Sequence, residues 1–321
     1  MRILVLMGGP SSEHAISLKS GQGVLDALRR KGWDAEALIL PKDLPVEDTA
    51  TLCRQAIADR QLDAVFIALH GPFGEDGTVQ ALCEHLRVPY TGSDAMASRT
   101  GMNKVAARMK FTEAGLLVPR GAVVNAADAT AIAQAAQDIG LPLVVKPPHQ
   151  GSSIGVSIVR RAGELPPAIG EAAKYESPVL LEQFIAGREL TVGVFDERAL
   201  PVIEVKPKQA FFDFTAKYTP GQTDYIVPAQ LDEETTRIAQ TIGLRAHQAV
   251  GCRHFSRTDL MLSDDGRMFV LEINTIPGFT PTSLVPKAAA CAGISYDDVC
   301  DRLVKAAMAS APARAPLVRA H

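Results

Sequence analysis

The fold is decided by residues 257–278, which read RTDLMLSDDGRMFVLEINTIPG. Two short apolar runs flank the dipeptide Asp265-Gly266, which is the strongest short-range signal for a two-residue hairpin turn. If this pair forms the turn, Asp264 faces Arg267 and the register of the hairpin follows. The segment therefore predicts two antiparallel strands, one face of which is polar and the other apolar.

The polar face of this predicted hairpin collects four chemically active side chains. Asp259 is expected opposite Glu272, and Arg257 opposite Asn274, on one face because side chains alternate along a strand. The other face is expected to hold two apolar cross-strand pairs, Leu260 with Leu271 and Leu262 with Phe269. A sheet face with this many polar groups is costly to bury unless a cation offsets the desolvation.

The residue types on the polar face indicate a metal site. Hard oxygen ligands suit Mg²⁺, which commonly binds one or two carboxylates together with substrate phosphates. Arg257 beside them could stabilise a developing oxyanion. A salt-bridged surface hairpin without catalytic function is the alternative interpretation of the segment.

The composition excludes several classes of protein. The chain has 321 residues, enough for two or three domains, and its 47% apolar content is typical of a globular protein. Its net charge is −3 and its aromatic residues are sparse, so we expect no nucleic-acid partner.

The five cysteines include no Cys-x-x-Cys pair, which indicates free thiols in a reducing compartment. No apolar run reaches membrane length, and residues 1–9 are too short for a signal-peptide core. We therefore expect a cytoplasmic protein with no membrane partner.

The first hundred residues alternate short apolar strands with helices, which predicts βαβ units and a parallel sheet. Loops 8–14 and 70–77 follow strands of this sheet and lie at its carboxyl edge, where ligands bind in such folds. A smaller α/β unit is expected over 121–183. An antiparallel strand pair with a turn at Asp196 begins near Gly187.

The segment 206–227 has no clean periodicity and is long for a structureless connection. Phe211, Phe212, Lys217 and Tyr218 lie within it. Aromatic residues in a polar loop suggest a lid that folds on a ligand. A solvated loop with incidental aromatics is the alternative.

A loop of small residues follows Lys146, and it includes Ser152, Ser153 and Gly155. Such residues allow backbone N–H groups to approach a phosphate closely, and Lys146 could reach a phosphate as a point charge. The loop matches neither a P-loop nor a dinucleotide-binding glycine pattern. An ordinary structural turn is the alternative.

Glu182 and Glu189 flank the apolar step Phe184-Ile185, which could form the flat wall that an adenine needs. Alternatively, both glutamates are ordinary exposed residues.

Glu13 and His70 follow strand ends of the predicted parallel sheet. Glu13 could receive a substrate ammonium, or it could favour the start of a helix through its charge. His70 lies in the adjacent loop, where a substrate contact and a structural role are both open.

Together, these segments resemble the D-alanine–D-alanine ligases of the ATP-grasp superfamily over nearly the whole chain. The matching motifs, in order, are Gly8–His14, His70–Gly77, Lys146–Gly155, Lys217-Tyr218, Arg257-Thr258-Asp259, Glu272-Ile273-Asn274, Pro277–Thr280 and Ser283–Pro286. In this order and spacing they are highly specific.

The resemblance implies a three-domain α/β ATP-grasp architecture. An N-terminal parallel-sheet, Rossmann-like domain is expected over 1–97. A central domain over 98–186 and a C-terminal domain over 187–311 would grip ATP between them. Residues 312–321 are expected to be a frayed tail.

The resemblance also implies a role for each matching residue. ATP would contact Lys104, Lys146, Ser153, Glu182, Phe184, Ile185, Glu189, Phe211 and Lys217. Asp259, Glu272 and Asn274 would hold two Mg²⁺ ions, for which Mn²⁺ could substitute. Glu13, Ser152 and Tyr218 would form a hydrogen-bonded triad that closes the lid. The substrates would contact Glu13, His70, Arg257, Gly278, Ser283 and Leu284, with Arg257 and the Gly278 amide forming the oxyanion hole.

The implied reaction joins two D-alanine molecules through an acyl phosphate at the expense of ATP, and the family implies a homodimer. A D-alanine–D-lactate ligase is an alternative, against which Tyr218 argues. A non-catalytic nucleotide-binding relative would not need the oxyanion donor Arg257. A Rossmann oxidoreductase would carry the glycine fingerprint that is absent here.

Overall fold

Three β-sheets follow one another along the chain in a computed structural model, which describes residues 1–208 and 223–310. The first sheet is parallel and the other two are antiparallel. This order agrees with the predicted α/β organisation, while the domain limits after residues 97 and 186 stay a prediction.

The first sheet contains β1 (Arg2–Gly8), β2 (Asp34–Leu40) and β3 (Ala64–Ile67), with β1 in the centre. Helices α1 (His14–Arg30) and α2 (Val46–Ala58) make the two crossovers. All three strands run parallel, as the βαβ pattern predicts. The loops after β1 and β3 therefore meet at the carboxyl edge of the sheet.

The second sheet has the strand order β4-β7-β5-β6 and is antiparallel. Its strands are β4 (Gly121–Val124), β5 (Leu143–Lys146), β6 (Ser157–Val159) and β7 (Val179–Gln183). The helices between the first sheet and the end of this unit are α3 (Thr78–His85), α4 (Ala95–Met102), α5 (Lys104–Glu113), α6 (Ala129–Ile139) and α7 (Leu165–Ala173). Asn103 caps α5 by accepting hydrogen bonds from the N–H groups of Val105 and Ala106.

The third sheet has six strands in the order β11-β10-β8-β12-β13, with β9 paired to β8. They are β8 (Gly187–Phe195), β9 (Arg198–Ala199), β10 (Ile203–Pro207), β11 (Thr223–Ile226), β12 (Phe255–Ser263) and β13 (Met268–Asn274). The accompanying helices are α8 (Glu233–Val250), α9 (Leu284–Cys291) and α10 (Tyr296–Ala309). No helix in the described ranges 1–208 and 223–310 has both the length and the apolar character needed to cross a membrane.

The turn of the β12–β13 hairpin differs from the prediction. The Ser263 N–H donates to the Arg267 carbonyl at 2.8 Å, and the Gly266 N–H donates to the Ser263 carbonyl at 2.9 Å. The turn therefore has three residues, and Asp264 does not face Arg267. The two-residue prediction is wrong because Gly266 (φ +82°) instead closes a three-residue turn in the left-handed conformation.

A β-bulge compensates for this extra turn residue. The register shifts between Asp259 and Leu260, so that Leu260 pairs with Val270 and Leu262 pairs with Met268. The predicted pairs Leu260–Leu271 and Leu262–Phe269 are therefore wrong. Beyond the bulge the predicted pairing returns, and Asp259 lies opposite Glu272.

The second strand of the predicted antiparallel pair is interrupted. The turn at Asp196 is present, with positive φ at Asp196 and Glu197, but β9 ends at Ala199 and β10 begins only at Ile203. Pro201 lies in the gap and has no N–H to offer a neighbouring strand. Helices α3, α4 and α9 and strand β11 were not predicted from the sequence.

His254, directly before β12, joins the loop at Gly92 to the end of α10. Its Nδ1 accepts a hydrogen bond from the Gly92 N–H at 3.1 Å, so its Nε2 donates to the Ser310 Oγ at 3.1 Å. Burial, together with the charge of Arg253, lowers the pKa of His254 to about 4. The imidazole is therefore neutral in the folded protein at neutral pH.

Protonation of His254 is expected to destabilise the folded protein as the pH falls. Because the unfolded histidine has a higher pKa than the folded one, its contribution is complete above about pH 6.5 and is lost towards pH 4. The backbone of His254 has a positive φ of 65°. Replacing His254 by Asn, which tolerates positive φ and retains a hydrogen-bond acceptor, should remove about 1–3 kcal/mol of this pH dependence. Urea unfolding between pH 7 and pH 4 measures it.

The exposed His85 of α3 provides a control for this measurement. His85→Asn should leave the pH dependence of the unfolding free energy as in the wild type. If the unfolding free energies of His254→Asn and the wild type changed equally with pH, the buried imidazole would not be the cause of the acid destabilisation.

Candidate active site

The polar face of the third sheet is organised around the carboxylate of Asp259. The guanidinium of Arg257 donates two hydrogen bonds to it, at 2.9 and 2.7 Å. Thr191 on the neighbouring strand β8 donates its hydroxyl at 2.7 Å, and the Asn274 amide lies 3.4 Å away. Three adjacent strands thus meet at a carboxylate that is only 8% exposed.

Glu272, the fourth polar residue of the hairpin, faces helix α5. The Nζ of Lys104 lies 3.2 Å from the Glu272 carboxylate and donates to the Gln150 carbonyl at 2.6 Å. The first residue of α5 therefore connects the third sheet to the small-residue loop of the second sheet. The predicted grouping of Arg257, Asp259, Glu272 and Asn274 on one face agrees with these contacts.

The chemistry of these donors fits a hard divalent cation. Two carboxylates and one amide oxygen supply part of the ligand set that Mg²⁺ prefers, and phosphate oxygens and water ordinarily complete it. Among residues 1–208 and 223–310, no three His, Cys, Asp or Glu side chains form a metal-binding group by themselves. Arg257 and Lys104 balance the two carboxylates in the structure.

A second buried carboxylate, Glu182, lies at the end of β7. Each of its oxygens has its own cation: Lys146 at 2.5 Å and Arg108 at 2.5 Å. Lys146 ends β5, directly before the small-residue loop. Phe184 and Ile185 follow on the same chain, and the guanidinium of Arg160 stacks over the Phe184 ring at 5.5 Å.

The small-residue loop has an unusual backbone. Ser152 (φ 52°) and Ser153 (φ 57°) both adopt the left-handed conformation, which is costly for residues with a side chain. The Ser152 hydroxyl donates to the Glu13 carboxylate at 2.7 Å. The loop of the second sheet thus reaches the carboxyl edge of the first, and two members of the predicted triad are in contact.

His70 lies in the loop after β3 and is buried. Its Nδ1 lies 3.3 Å from the Ile276 carbonyl and 3.5 Å from the Glu75 carboxylate, and its Nε2 lies 2.9 Å from the Ser20 hydroxyl. Burial would lower the pKa of His70, but the carboxylates of Glu75 and Glu13 and the Ile276 carbonyl together outweigh it and raise the pKa. Burial raises the pKa of Glu75.

These contacts join His70 to the loop that carries Gly278. The Ser20 hydroxyl, which meets the imidazole, also accepts a hydrogen bond from the Phe279 N–H at 3.3 Å. His70 therefore braces this loop against α1, and its predicted substrate contact stays a prediction.

Gly278 and Ser283 lie on the approach to α9. The Ser283 hydroxyl accepts a hydrogen bond from the Thr280 N–H at 3.0 Å, and the side-chain hydroxyls of Thr280 and Ser283 lie 2.8 Å apart. A Cβ at Gly278 would lie 3.4 Å from the Ser283 Oγ, so the Gly278 backbone and Ser283 are neighbours. Leu284 begins α9.

The remaining predicted site residues fall in two groups. Glu189 lies on β8, two residues from Thr191 and on the same face. Phe211, Lys217 and Tyr218 lie outside the described residues, so the predicted lid and its part in the triad stay predictions.

A cavity brings three of the predicted site residues together, Lys104, Glu272 and Asn274. Its lining also includes Glu75 from the loop after β3 and Gly151 from the small-residue loop.

Sequence reasoning missed three residues that contact predicted site residues: Thr191 meets Asp259, Glu75 meets His70, and Arg108 meets Glu182. The only available signal for Arg108 was its spacing four residues after Lys104, which puts both on one face of α5. Thr191 meets Asp259 only because strands distant in sequence pair in the third sheet, whereas Glu75 meets His70 within a single loop.

Comparisons with known proteins agree with this geometry. Residues 97–305 match the family model for the C-terminus of D-ala D-ala ligases, and residues 45–93 match the model for their N-terminus. A D-alanine–D-alanine ligase of Geotalea uraniireducens (strain Rf4) is 42% identical over 306 residues, which cover 95% of each chain.

Two solved structures are also similar. The D-alanine–D-alanine ligase from Bacillus anthracis complexed with ATP has a TM-score of 0.83 and 30% identity, covering 96% of this chain and 98% of that chain. The VanG D-Ala:D-Ser ligase from Enterococcus faecalis has a TM-score of 0.83 and 28% identity, covering 95% and 99%.

The fold is therefore the ATP-grasp architecture, as the resemblance implied. The chain belongs to the D-alanine–D-alanine ligase family.

We expect Thr191 to orient Asp259 for metal binding. Thr191→Val removes the hydroxyl that fixes one carboxylate oxygen, and should raise the Mg²⁺ concentration needed for ADP binding about ten- to a hundredfold. Thr191→Ser keeps the hydroxyl and should stay near the wild type. Titration of ADP binding with Mg²⁺ by calorimetry measures the effect, and an unchanged Mg²⁺ requirement in folded Thr191→Val would contradict it.

Proposed function

We propose that this chain joins two molecules of D-alanine to D-alanyl-D-alanine, with ATP consumed to ADP and phosphate. The observation that carries this proposal is the cluster of Arg257, Asp259, Glu272 and Asn274 at the junction of three sheets, in a chain with full-length similarity to D-alanine–D-alanine ligases. A pure binding protein would not need an oxyanion donor there. The product is a precursor for peptidoglycan synthesis in this family.

The reaction has two steps. A carboxylate oxygen of the first D-alanine attacks the γ-phosphorus of ATP, the bond to the bridging oxygen breaks, and ADP leaves. The amine of the second D-alanine then attacks the carbonyl of the resulting acyl phosphate. Phosphate leaves with the electron pair of the broken C–O bond, and the amine loses a proton.

Asp259, Glu272 and Asn274 would hold two Mg²⁺ ions, for which Mn²⁺ could substitute. The ions, when bound, offset negative charge on the transferring phosphoryl group. Release of Arg257 from Asp259 would free its guanidinium for the developing oxyanion, alongside the Gly278 N–H.

Glu13 would receive the ammonium group of the first D-alanine, and the 2.7 Å hydrogen bond from Ser152 supports this role by orienting its carboxylate. Tyr218 would complete the triad and close the lid, which keeps water from the acyl phosphate. Ser283 and Leu284 would bind the carboxylate of the second D-alanine, beside Gly278. His70 would contribute to the same substrate region.

ATP would lie between the second and third sheets. Its contacts would come from Lys104, Lys146, Ser153, Glu182, Phe184, Ile185, Glu189, Phe211 and Lys217. The buried charges of Lys146 and Glu182 and the apolar step after them support a nucleotide site with a charged end and a flat apolar wall. The homodimer and the cytoplasmic location stay predictions.

The first test of this function is stereospecific phosphate release. With ATP and Mg²⁺, we expect phosphate to appear when D-alanine is added and not when L-alanine is added, because Glu13 and the oxyanion hole would orient one enantiomer only. A coupled phosphate assay with chromatography of the dipeptide measures both products. Equal release with L-alanine would refute the assignment.

The second substrate is tested in the same assay. The similarity to a D-Ala:D-Ser ligase makes D-serine a necessary competitor, and D-lactate is the other alternative. We expect D-alanyl-D-alanine to predominate from equimolar mixtures. A predominant D-serine or D-lactate product would assign the chain to the corresponding ligase.

Arg257→Ala should lower kcat about 10²-fold or more, since removal of one oxyanion donor usually has this effect. Arg267→Ala is a matched control, because Arg267 lies on the same hairpin with a 61% exposed side chain and pairs with Asp265. It should retain normal turnover. Steady-state kinetics at saturating ATP and D-alanine measure both, and a near-normal kcat for Arg257→Ala would exclude the oxyanion role.

A further inference from the structure

The buried carboxylate of Glu182 has two counter-ions where one would neutralise it. Lys146 contacts one oxygen and Arg108 the other, each at 2.5 Å. The side chain of Glu182 is 4% exposed, that of Lys146 is 9% exposed and that of Arg108 is 13% exposed. Solvent therefore screens this cluster weakly, and the loss of either cation matters more than it would on the surface.

The two cations differ in how firmly they are held. The Arg108 guanidinium also donates to the Pro119 carbonyl at 2.5 Å, so it is fixed between α5 and the chain entering β4. A Cβ on Gly121 would lie only 3.1 Å from the Arg108 Nη2, so the guanidinium packs closely against that strand. Arg108 is thus tied to a carboxylate and to the backbone through separate nitrogens.

Lys146 is a single point charge on a flexible stem, at the end of β5. Under the proposed function it contacts the nucleotide. Suppose that Lys146 turned from Glu182 to a phosphate in a protein that lacked Arg108. The Glu182 carboxylate would then remain buried without a counter-ion. With Arg108 in place, Glu182 keeps a counter-ion throughout.

We propose that Arg108 is a positioning residue for nucleotide binding, which keeps Glu182 neutralised so that Lys146 can leave that carboxylate for the nucleotide phosphate. This inference rests on the proposed function for its ligand and names a residue outside the predicted site. Without Arg108, Glu182 would hold Lys146 as its sole counter-ion, and the nucleotide would have to compete for it.

The test measures ADP affinity in the presence of Mg²⁺ and without D-alanine, by calorimetry. Arg108→Gln should weaken ADP binding about ten- to a hundredfold, the loss expected for one charge-assisted interaction. Arg108→Lys retains the charge and should restore most of the affinity. Lys110→Gln removes a positive charge from the exposed side of the same helix and should bind ADP as the wild type does.

A second background separates this role from a structural one. In Glu182→Gln no carboxylate holds Lys146, so adding Arg108→Gln should change ADP affinity little from that of Glu182→Gln alone. If Arg108 served only to fix the backbone at Pro119, the loss would be equal in both backgrounds. That result, or wild-type affinity in folded Arg108→Gln, would overturn the proposal.

This experiment is independent of ligase activity. A protein that binds ADP with the expected pattern but forms no dipeptide would refute the proposed function and leave the role of Arg108 standing. Normal dipeptide synthesis by the wild type, together with unaltered ADP affinity in Arg108→Gln, would support the proposed function and refute the role of Arg108.

Discussion

The hydrogen-bonded carboxylate of Asp259 is the point on which the site depends. Thr191 from β8, Arg257 from β12 and Asn274 from β13 converge on it, so three strands must be in register for the cluster to exist. An ionised group with this little exposure is tolerable only because each neighbour satisfies part of its charge or hydrogen-bonding capacity. Under the proposed function, the same contacts would hold the carboxylate in position for a metal ion.

Helix α5 links the second and third sheets through charge pairs. Lys104 and Arg108 are one helical turn apart, and each faces a glutamate from a different antiparallel sheet, Glu272 and Glu182. The helix thus holds both sheets through charge pairs rather than through apolar packing alone. Charge pairs can be exchanged when an anionic ligand enters between the sheets, which apolar contacts cannot do. This suits a site that must accept a triphosphate.

The β12–β13 hairpin illustrates how far local patterns reach. The alternation of side chains correctly predicted that Asp259 lies opposite Glu272, yet the turn is one residue longer than expected. The β-bulge between Asp259 and Leu260 offsets the extra turn residue and restores the predicted pairing of Asp259 with Glu272. A turn signal such as Asp-Gly is compatible with two loop lengths, and packing of Leu260 and Val270 in the core selects between them. Nothing in the local sequence reports that packing.

The sequence by itself determined the alternation of strands and helices in the N-terminal parallel sheet, the polar face of the hairpin and the family, since these depend on short-range periodicity and on motifs in fixed order. Only the tertiary structure decided which charges meet. The pairs Arg108–Glu182, Ser152–Glu13 and Lys104–Glu272 join residues 74, 139 and 168 positions apart, counted from their numbers. Such contacts arise from the packing of separate sheets, and no local pattern encodes the distance between them.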